Sequence, residues 1–229
     1  MRNNAIITAA GSGRRFNSKT KKQFTALNGI PILIRTIRVF YDHDFFAKII
    51  ITLPPKDIAS TQELIFKYFK KDRFIFAEGG KTRQKSVYNA LSQCSDNTDF
   101  VAIHDGVRPL IKTGEIDQII EKAKRFDAAI PVTKIKYTIK EIDTDFIKKT
   151  LDRNRIVNVH TPQIFRFELI KKYHNKARKI NQTFTDDAGI LEYFGINTAY
   201  TFISEENIKI TRPIDLFIAE KILEKRGAK

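Results

Sequence analysis

The residues able to do chemistry fall into short clusters, and most of those clusters carry positive charge. The first is "AAGSGRRF", residues 9–16, directly after the apolar run Ala5-Ile6-Ile7, with Lys22 soon after it. Gly11 and Gly13 lack a Cβ, so backbone N–H groups there can approach phosphate oxygens, and Ala9 and Ala10 keep the approach open. Arg14, Arg15 and Lys22 add fixed countercharge. The pattern reads as a phosphate cradle. It is not the G-x-x-x-x-G-K-[ST] loop, and Phe16 stands where a dinucleotide fingerprint has its third glycine. A tight turn with solvated arginines fits the same residues, so the loop alone decides little. Gly79-Gly80 forms a second backbone-open turn, followed by Ser86, and can hydrogen-bond a flat base. "HDGVRP" (104–109) carries Asp105 and Arg108. "ENIKIT" (206–211) places Lys209 in an apolar-flanked segment read as a strand. Ser-His-Asp and Cys-His arrangements are not in view. The four histidines, His43, His104, His160 and His174, lack metal-ligand spacing, and His104 is read as a structural residue.

The elements that must hold these clusters alternate. Strands are expected at 4–8, 48–52, 74–77, 100–104 and 128–131. Amphipathic helices are expected at 31–41, 58–69, 82–91 and 113–125. Near-continuous apolar strands alternating with helices predict a parallel sheet covered on both faces. The fold class expected is α/β: a Rossmann-like, mostly parallel sheet with helices on both faces and a protruding β-arm. Each cluster then follows a strand, so the clusters share the carboxyl rim where open α/β sheets bind ligands. The rhythm breaks over about 134–159, a charged stretch read as a β-hairpin arm. Helices near 167–176 and 186–194, a strand at 197–202 and a closing helix from Arg212-Pro213 complete the chain. The reading is one domain over 1–229 with the arm inside it.

Hydrophobic residues make up 42% and charged residues 29% of the chain, as in globular proteins. No run approaches the roughly 20 apolar residues that cross a bilayer, and Gly11 and Arg14 interrupt the only candidate leader. The single cysteine, Cys94, is read as a packing residue and fits a reducing, cytoplasmic setting. The formal charge of +15 admits a basic nucleic-acid-binding module as an alternative of another class. The lysines are scattered, however, and no aromatic-interleaved basic motif of the RNA-binding kind appears.

Taken in order, "AAGSGRRF…KKQF", "EGGKTRQKSV", "IHDGVRP", "YTIK", "LDRNRIVNVHTPQIF", "TFTDDAGILEYFG" and "NIKITRPIDL" resemble the 2-C-methyl-D-erythritol 4-phosphate cytidylyltransferases over nearly the whole chain. The resemblance implies transfer of the CMP moiety of CTP to a sugar-alcohol phosphate, releasing pyrophosphate, with magnesium, in a cytoplasmic homodimer that makes isoprenoid precursors. It implies that Ala9, Ala10, Gly11, Gly13, Arg15 and Lys22 hold the triphosphate, and that Gly80 and Ser86 read cytosine. Asp105 would lie near the ribose and the second substrate, and Lys209 at the α-phosphate. Arg108, Thr161 and Thr185 would line the alcohol-phosphate pocket, and Thr138 and Arg153 on the arm would reach a neighbouring subunit's site. Such a nucleophile is already a dianion at neutral pH, because the second pKa of a phosphate monoester is about 6. No general base is then needed; Arg15, Lys22 and Lys209 would be the catalytic cations. Magnesium would be held mainly by the CTP phosphates. Some positions depart from the family pattern: Lys21 replaces a usual proline, Tyr137 a usual aspartate, and "HDGVRP" a usual "HDAARP". The nearest alternative substrate is ribitol 5-phosphate, used by enzymes of the same fold to make CDP-ribitol for wall or capsule polymers. The segment "LDRNRIVNVHTPQ" resembles the methylerythritol enzymes more closely.

Overall fold

Apolar runs without polar alternation are stable as strands only where both faces are covered, and such runs form the centre of this molecule. The structure, a computed structural model, describes residues 2–11, 21–180 and 182–227. In chain order, β1 (Asn3–Thr8) is followed by a short hairpin, β2 (Ala26–Leu27) and β3 (Ile30–Pro31), and by α1 (Ile32–Tyr41). Next come β4 (Phe46–Leu53), α2 (Ile58–Phe66), β5 (Phe74–Glu78), α3 (Arg83–Leu91), β6 (Phe100–Asp105), α4 (Thr113–Phe126) and β7 (Ala128–Lys134). The remainder is β8 (Ile139–Asp143), β9 (Phe146–Leu151), β10 (Val157–Val159), β11 (Gln163–Arg166), α5 (Phe167–Ala177), α6 (Asp187–Tyr193), β12 (Ala199–Phe202) and α7 (Pro213–Lys225).

Strands β6, β1, β4 and β5 lie side by side and run parallel. Their carboxyl ends therefore share one edge, as expected for an α/β fold. β11 is inserted between β6 and β7, antiparallel to both, and β10 and β12 both pair with β7. Successive residues of β1 and β4 point to opposite faces. Ala5, Ile7, Ile49 and Ile51 pack under α1, α2 and α4 through Ile34, Ile37, Ile65, Ile116 and Ile119. Ile6 and Ile50 pack under α3, α5 and α6 through Val87, Ile170 and Leu191. Each of these isoleucine, leucine and valine side chains contributes about 1.5–3 kcal/mol by leaving water. A third cluster, with Val107, Ile210, Ala219 and Leu223, seats α7 against the rim.

β8 and β9 make a separate two-stranded sheet. The two ends of the 134–159 stretch belong to the main sheet instead, Lys134 through β7 and 157–159 through β10. Lys209 is not on a strand: residues 207–210 belong to no helix or strand, and the segment is held where the Ile210 N–H donates to the Val107 carbonyl at 3.0 Å.

Candidate active site

Three backbone hydrogen bonds join the loops that leave the parallel strands. Ala9 N–H donates to Thr52 O (3.0 Å), Gly79 N–H to Leu53 O (2.7 Å) and Gly106 N–H to Thr8 O (2.9 Å). A Cβ on Gly79 would overlap that of Ala10, so glycine there is what lets the β1 and β5 loops touch. The buried Gln23 side chain closes the first loop by donating to Ala9 O at 3.1 Å. Ser86 shapes the second: its hydroxyl accepts from Gly80 N–H and donates to Thr82 O, both at 3.0 Å. Thr82 caps α3 by accepting from Lys85 N–H.

These loops enclose a cleft of about 460 Å³ lined by Ala9, Ala10, Gly11, Lys22, Gly80, Ser86, Asp105 and Lys209, together with Arg83 and others. A second cleft of about 520 Å³ is lined by Arg108, Thr133, Tyr137, Ile139, His160 and Lys209, among others. Lys209 is common to both. Arg15 and Gly13 lie outside the described residues. Thr161 sits behind the rim, where its hydroxyl accepts from the Asp105 N–H at 3.1 Å. Thr138, Arg153 and Thr185 are exposed and stand outside both linings. Arg153 Nη1 donates to Lys136 O at 2.9 Å, which fastens it to the base of the arm.

Asp105 is the electrostatic centre. Its Oδ2 receives Lys209 Nζ at 2.8 Å and Arg108 Nε at 3.5 Å; its Oδ1 receives Arg83 Nε at 3.4 Å. Burial would raise the Asp105 carboxyl, but Arg83, Lys209 and Arg108 outweigh it and hold the group well below the usual carboxylate range. Three cations around one carboxylate leave an excess of positive charge, which suits an anionic ligand. Among the described residues, no group of three or more His, Cys, Asp or Glu side chains is placed to hold a metal.

His104 is fully buried, and its partners fix its tautomer. A carbonyl can only accept, so Nε2–H donates to Arg108 O at 2.9 Å, and Nδ1 accepts from the Thr161 hydroxyl at 3.1 Å. Burial lowers its pKa to about 4. The unfolded chain binds this proton near pH 6.5 and the folded one does not, so the stabilising effect is complete above pH 6.5 and declines toward pH 4. A shift of this size is worth about 3 kcal/mol. We expect unfolding free energy, measured by denaturant titration, to fall across that window, and His104→Gln to flatten the slope; an unchanged slope would contradict the neutral assignment.

Sequence reasoning passed over Arg83, Gln163, Asp187 and Asn207, although all lie in or beside the quoted motifs. Arg83 Nη1 donates to Asp187 Oδ2 at 2.6 Å. Asn207 O accepts from Arg108 Nη1 at 2.8 Å, and Asn207 Nδ2 donates to Thr161 O at 2.9 Å. Cys94 is buried, and burial raises its thiol to about 11, as befits an inert packing residue.

The family model described as IspD, 2-C-methyl-D-erythritol 4-phosphate cytidylyltransferase, matches residues 4–225. A protein of that name from Clostridium novyi is 41% identical over 225 residues, covering 97% of each chain. Its namesake from Geobacillus thermodenitrificans is 38% identical over 224 residues, covering 98% of each. Among solved structures, the 4-diphosphocytidyl-2C-methyl-D-erythritol synthase of Anaerococcus prevotii superposes with a TM-score of 0.86 at 28% identity, covering 97% of this chain and 98% of its own. The cytidylyltransferase of Francisella tularensis superposes at 0.78 with 31% identity, covering 96% and 99%. Matched over nearly its whole length, the chain belongs to the 2-C-methyl-D-erythritol 4-phosphate cytidylyltransferase family, a family of nucleotidyltransferase enzymes.

Proposed function

We propose that the first cleft takes CTP, that the second takes 2-C-methyl-D-erythritol 4-phosphate, and that Lys209 stands between them at the α-phosphorus. The observation that carries this reading is the position of Lys209 on the wall common to both clefts, 2.8 Å from Asp105. A phosphate oxygen of the alcohol phosphate attacks the α-phosphorus. The bond from that phosphorus to the bridging α,β-oxygen breaks, and its electron pair leaves with pyrophosphate. Both reactants are anions, so alignment and charge neutralisation are the catalytic task. Lys209 stabilises the five-coordinate phosphorus, and Lys22, with Arg15, offsets charge on the leaving group. Gly80 and the turn closed by Ser86 present backbone groups to the base. Asp105, once a phosphate draws Lys209 away, has an oxygen to offer a hydroxyl of the ribose or of the alcohol, and Arg108 meets the second phosphate.

Magnesium would supply further charge neutralisation when bound. The cleft provides one carboxylate, Asp105, already ion-paired, so the donor set suits an ion carried by phosphate oxygens and water rather than by a protein cage. A homodimer through the arm fits the exposed Ile142, Phe146 and Ile147 of β8 and β9. In that assembly Thr138 and Arg153 would serve the partner's second cleft, and Thr185 would close the alcohol-phosphate pocket from the bend before α6. A buried, unreactive single thiol fits a cytoplasmic setting.

The test is turnover with CTP and either 2-C-methyl-D-erythritol 4-phosphate or ribitol 5-phosphate, followed by pyrophosphate release. Turnover with the first alone is expected; turnover with ribitol 5-phosphate alone would overturn the assignment.

A further inference from the structure

Asp105 is not left to find its own place. Behind it runs a chain of charged and polar side chains that leaves the cleft and ends in the core under α5. Arg83, in the first turn of α3, spans the gap between Asp105 Oδ1 (3.4 Å from Nε) and Asp187 Oδ2 (2.6 Å from Nη1). Asp187 is the first residue of α6, with a side chain only 1% exposed. Its other oxygen, Oδ1, accepts from His174 Nε2 at 3.1 Å. Its backbone N–H donates to Gln163 Oε1 at 3.1 Å, and Gln163 Nε2 donates to Asp186 Oδ2 at 2.6 Å.

We propose that Arg83 is a positioning residue for the transfer reaction, acting through Asp105, and that Asp187, oriented by His174, holds Arg83 in place for that task. Three features support this. Asp187 does not line the nucleotide cleft, so it reaches the chemistry only through Arg83. The stronger of the two Arg83 ion pairs is the one to Asp187, so the guanidinium is anchored from the rear and its Nε edge is directed at Asp105. Asp187 on α6 stands 104 positions from Arg83 on α3, and a charged fork is a stiff way to fix the spacing of α6 against α3 and β6. Without the anchor, Arg83 could pair fully with Asp105 and turn its carboxylate away from the position between Lys209 and Arg108.

The proposal rests on the reading of the cleft as a CTP site, and the experiment separates the two. CTP binding by the intact protein is measured by calorimetry. Absence of CTP binding would remove the site assignment itself. With binding established, kcat and KM for the alcohol phosphate are measured for Arg83→Gln, Asp187→Asn and the double variant. Each single change is expected to lower kcat/KM by roughly 10–100-fold, mostly in the alcohol-phosphate parameters, while CTP affinity changes less than tenfold. The double variant is expected to match Arg83→Gln alone, because a residue acting only through Arg83 has nothing left to act on. Arg83→Lys should recover part of the loss by restoring charge without the fork. Losses that multiply in the double variant, or wild-type kcat/KM in Asp187→Asn, would overturn the proposal. His174→Gln, a milder change, provides the same comparison should Asp187→Asn fail to fold: a loss in kcat/KM that vanishes in the Arg83→Gln background supports the relay, and one that persists opposes it.

Discussion

Replacing Lys209 by alanine is expected to lower kcat by about 10²–10³-fold, the usual cost of removing one preorganised charge stabiliser from a transition state, with the fold left intact. The geometry separates the two effects. The ammonium lies on the surface of both clefts and its side chain is 38% exposed, so its ion pair with Asp105 adds little to stability. The segment that carries it is held by other atoms: Ile210 is buried under α7 and bonded to Val107, and Asn207 is buried against Thr161 and Arg108. Alanine removes none of those contacts. Steady-state turnover should collapse while the melting temperature stays within a few degrees of wild type. CTP binding should weaken far less than kcat falls, because the charge that Lys209 meets is greatest when five oxygens surround phosphorus. Wild-type turnover in Lys209→Ala would take the residue out of the mechanism.

How far the sequence foretold this arrangement depends on the length over which each signal repeats. The central strands and most helices were legible because their apolar residues recur over enough turns to set a period; the expected 113–125 helix is α4 at 113–126, and the expected 31–41 helix is α1 at 32–41. β11 was not legible. Four residues, "QIFR", give no period, and its place between β6 and β7 is decided by pairing with segments far away in the sequence. The β2–β3 hairpin did carry a readable signal, since Asn28-Gly29 adopts positive φ at both positions of a two-residue turn. The glycines and alanines of the strand-end loops read as a phosphate cradle, but a tight turn with solvated arginines fitted the first of them equally, so the loop alone decided little. The buried charges were not legible: Arg83 and Asp187 stand 104 positions apart, and nothing local in either segment marks them as partners. Thr161 shows the converse. Its motif suggested a residue on a ligand pocket, whereas its hydroxyl is spent on the Asp105 backbone and His104, where it fixes the strand end that presents the carboxylate.

Asp105→Asn is the change with the largest expected effect on the folded state. The side chain keeps its shape but loses the charge that balances Arg83, Arg108 and Lys209, and a neutral amide oxygen cannot satisfy three cations. Removing one partner from a buried ionic cluster costs roughly 3–5 kcal/mol, which for a chain of this length lowers the melting temperature on the order of 10 °C. The sign with pH follows from the depressed carboxyl. The wild-type contribution is present above the unfolded pKa of about 3.9 and is lost as pH falls below it toward the folded value. The stability gap between wild type and variant should therefore be full at pH 7 and shrink below about pH 4, where the unfolded wild-type chain takes up a proton that the folded carboxylate, held by its three cations, still refuses. The same cluster, now one charge more positive, should bind anions harder: millimolar pyrophosphate is expected to raise the variant's melting temperature more than the wild type's, since ligand that binds only the folded state stabilises it in proportion to its affinity. Turnover should fall as well, because a neutral amide oxygen is a weaker acceptor for a substrate hydroxyl than the carboxylate it replaces. A variant as stable as wild type at neutral pH, or one indifferent to pyrophosphate, would mean that the three cations do not depend on Asp105 for their balance, and the electrostatic account of the rim would fail with it.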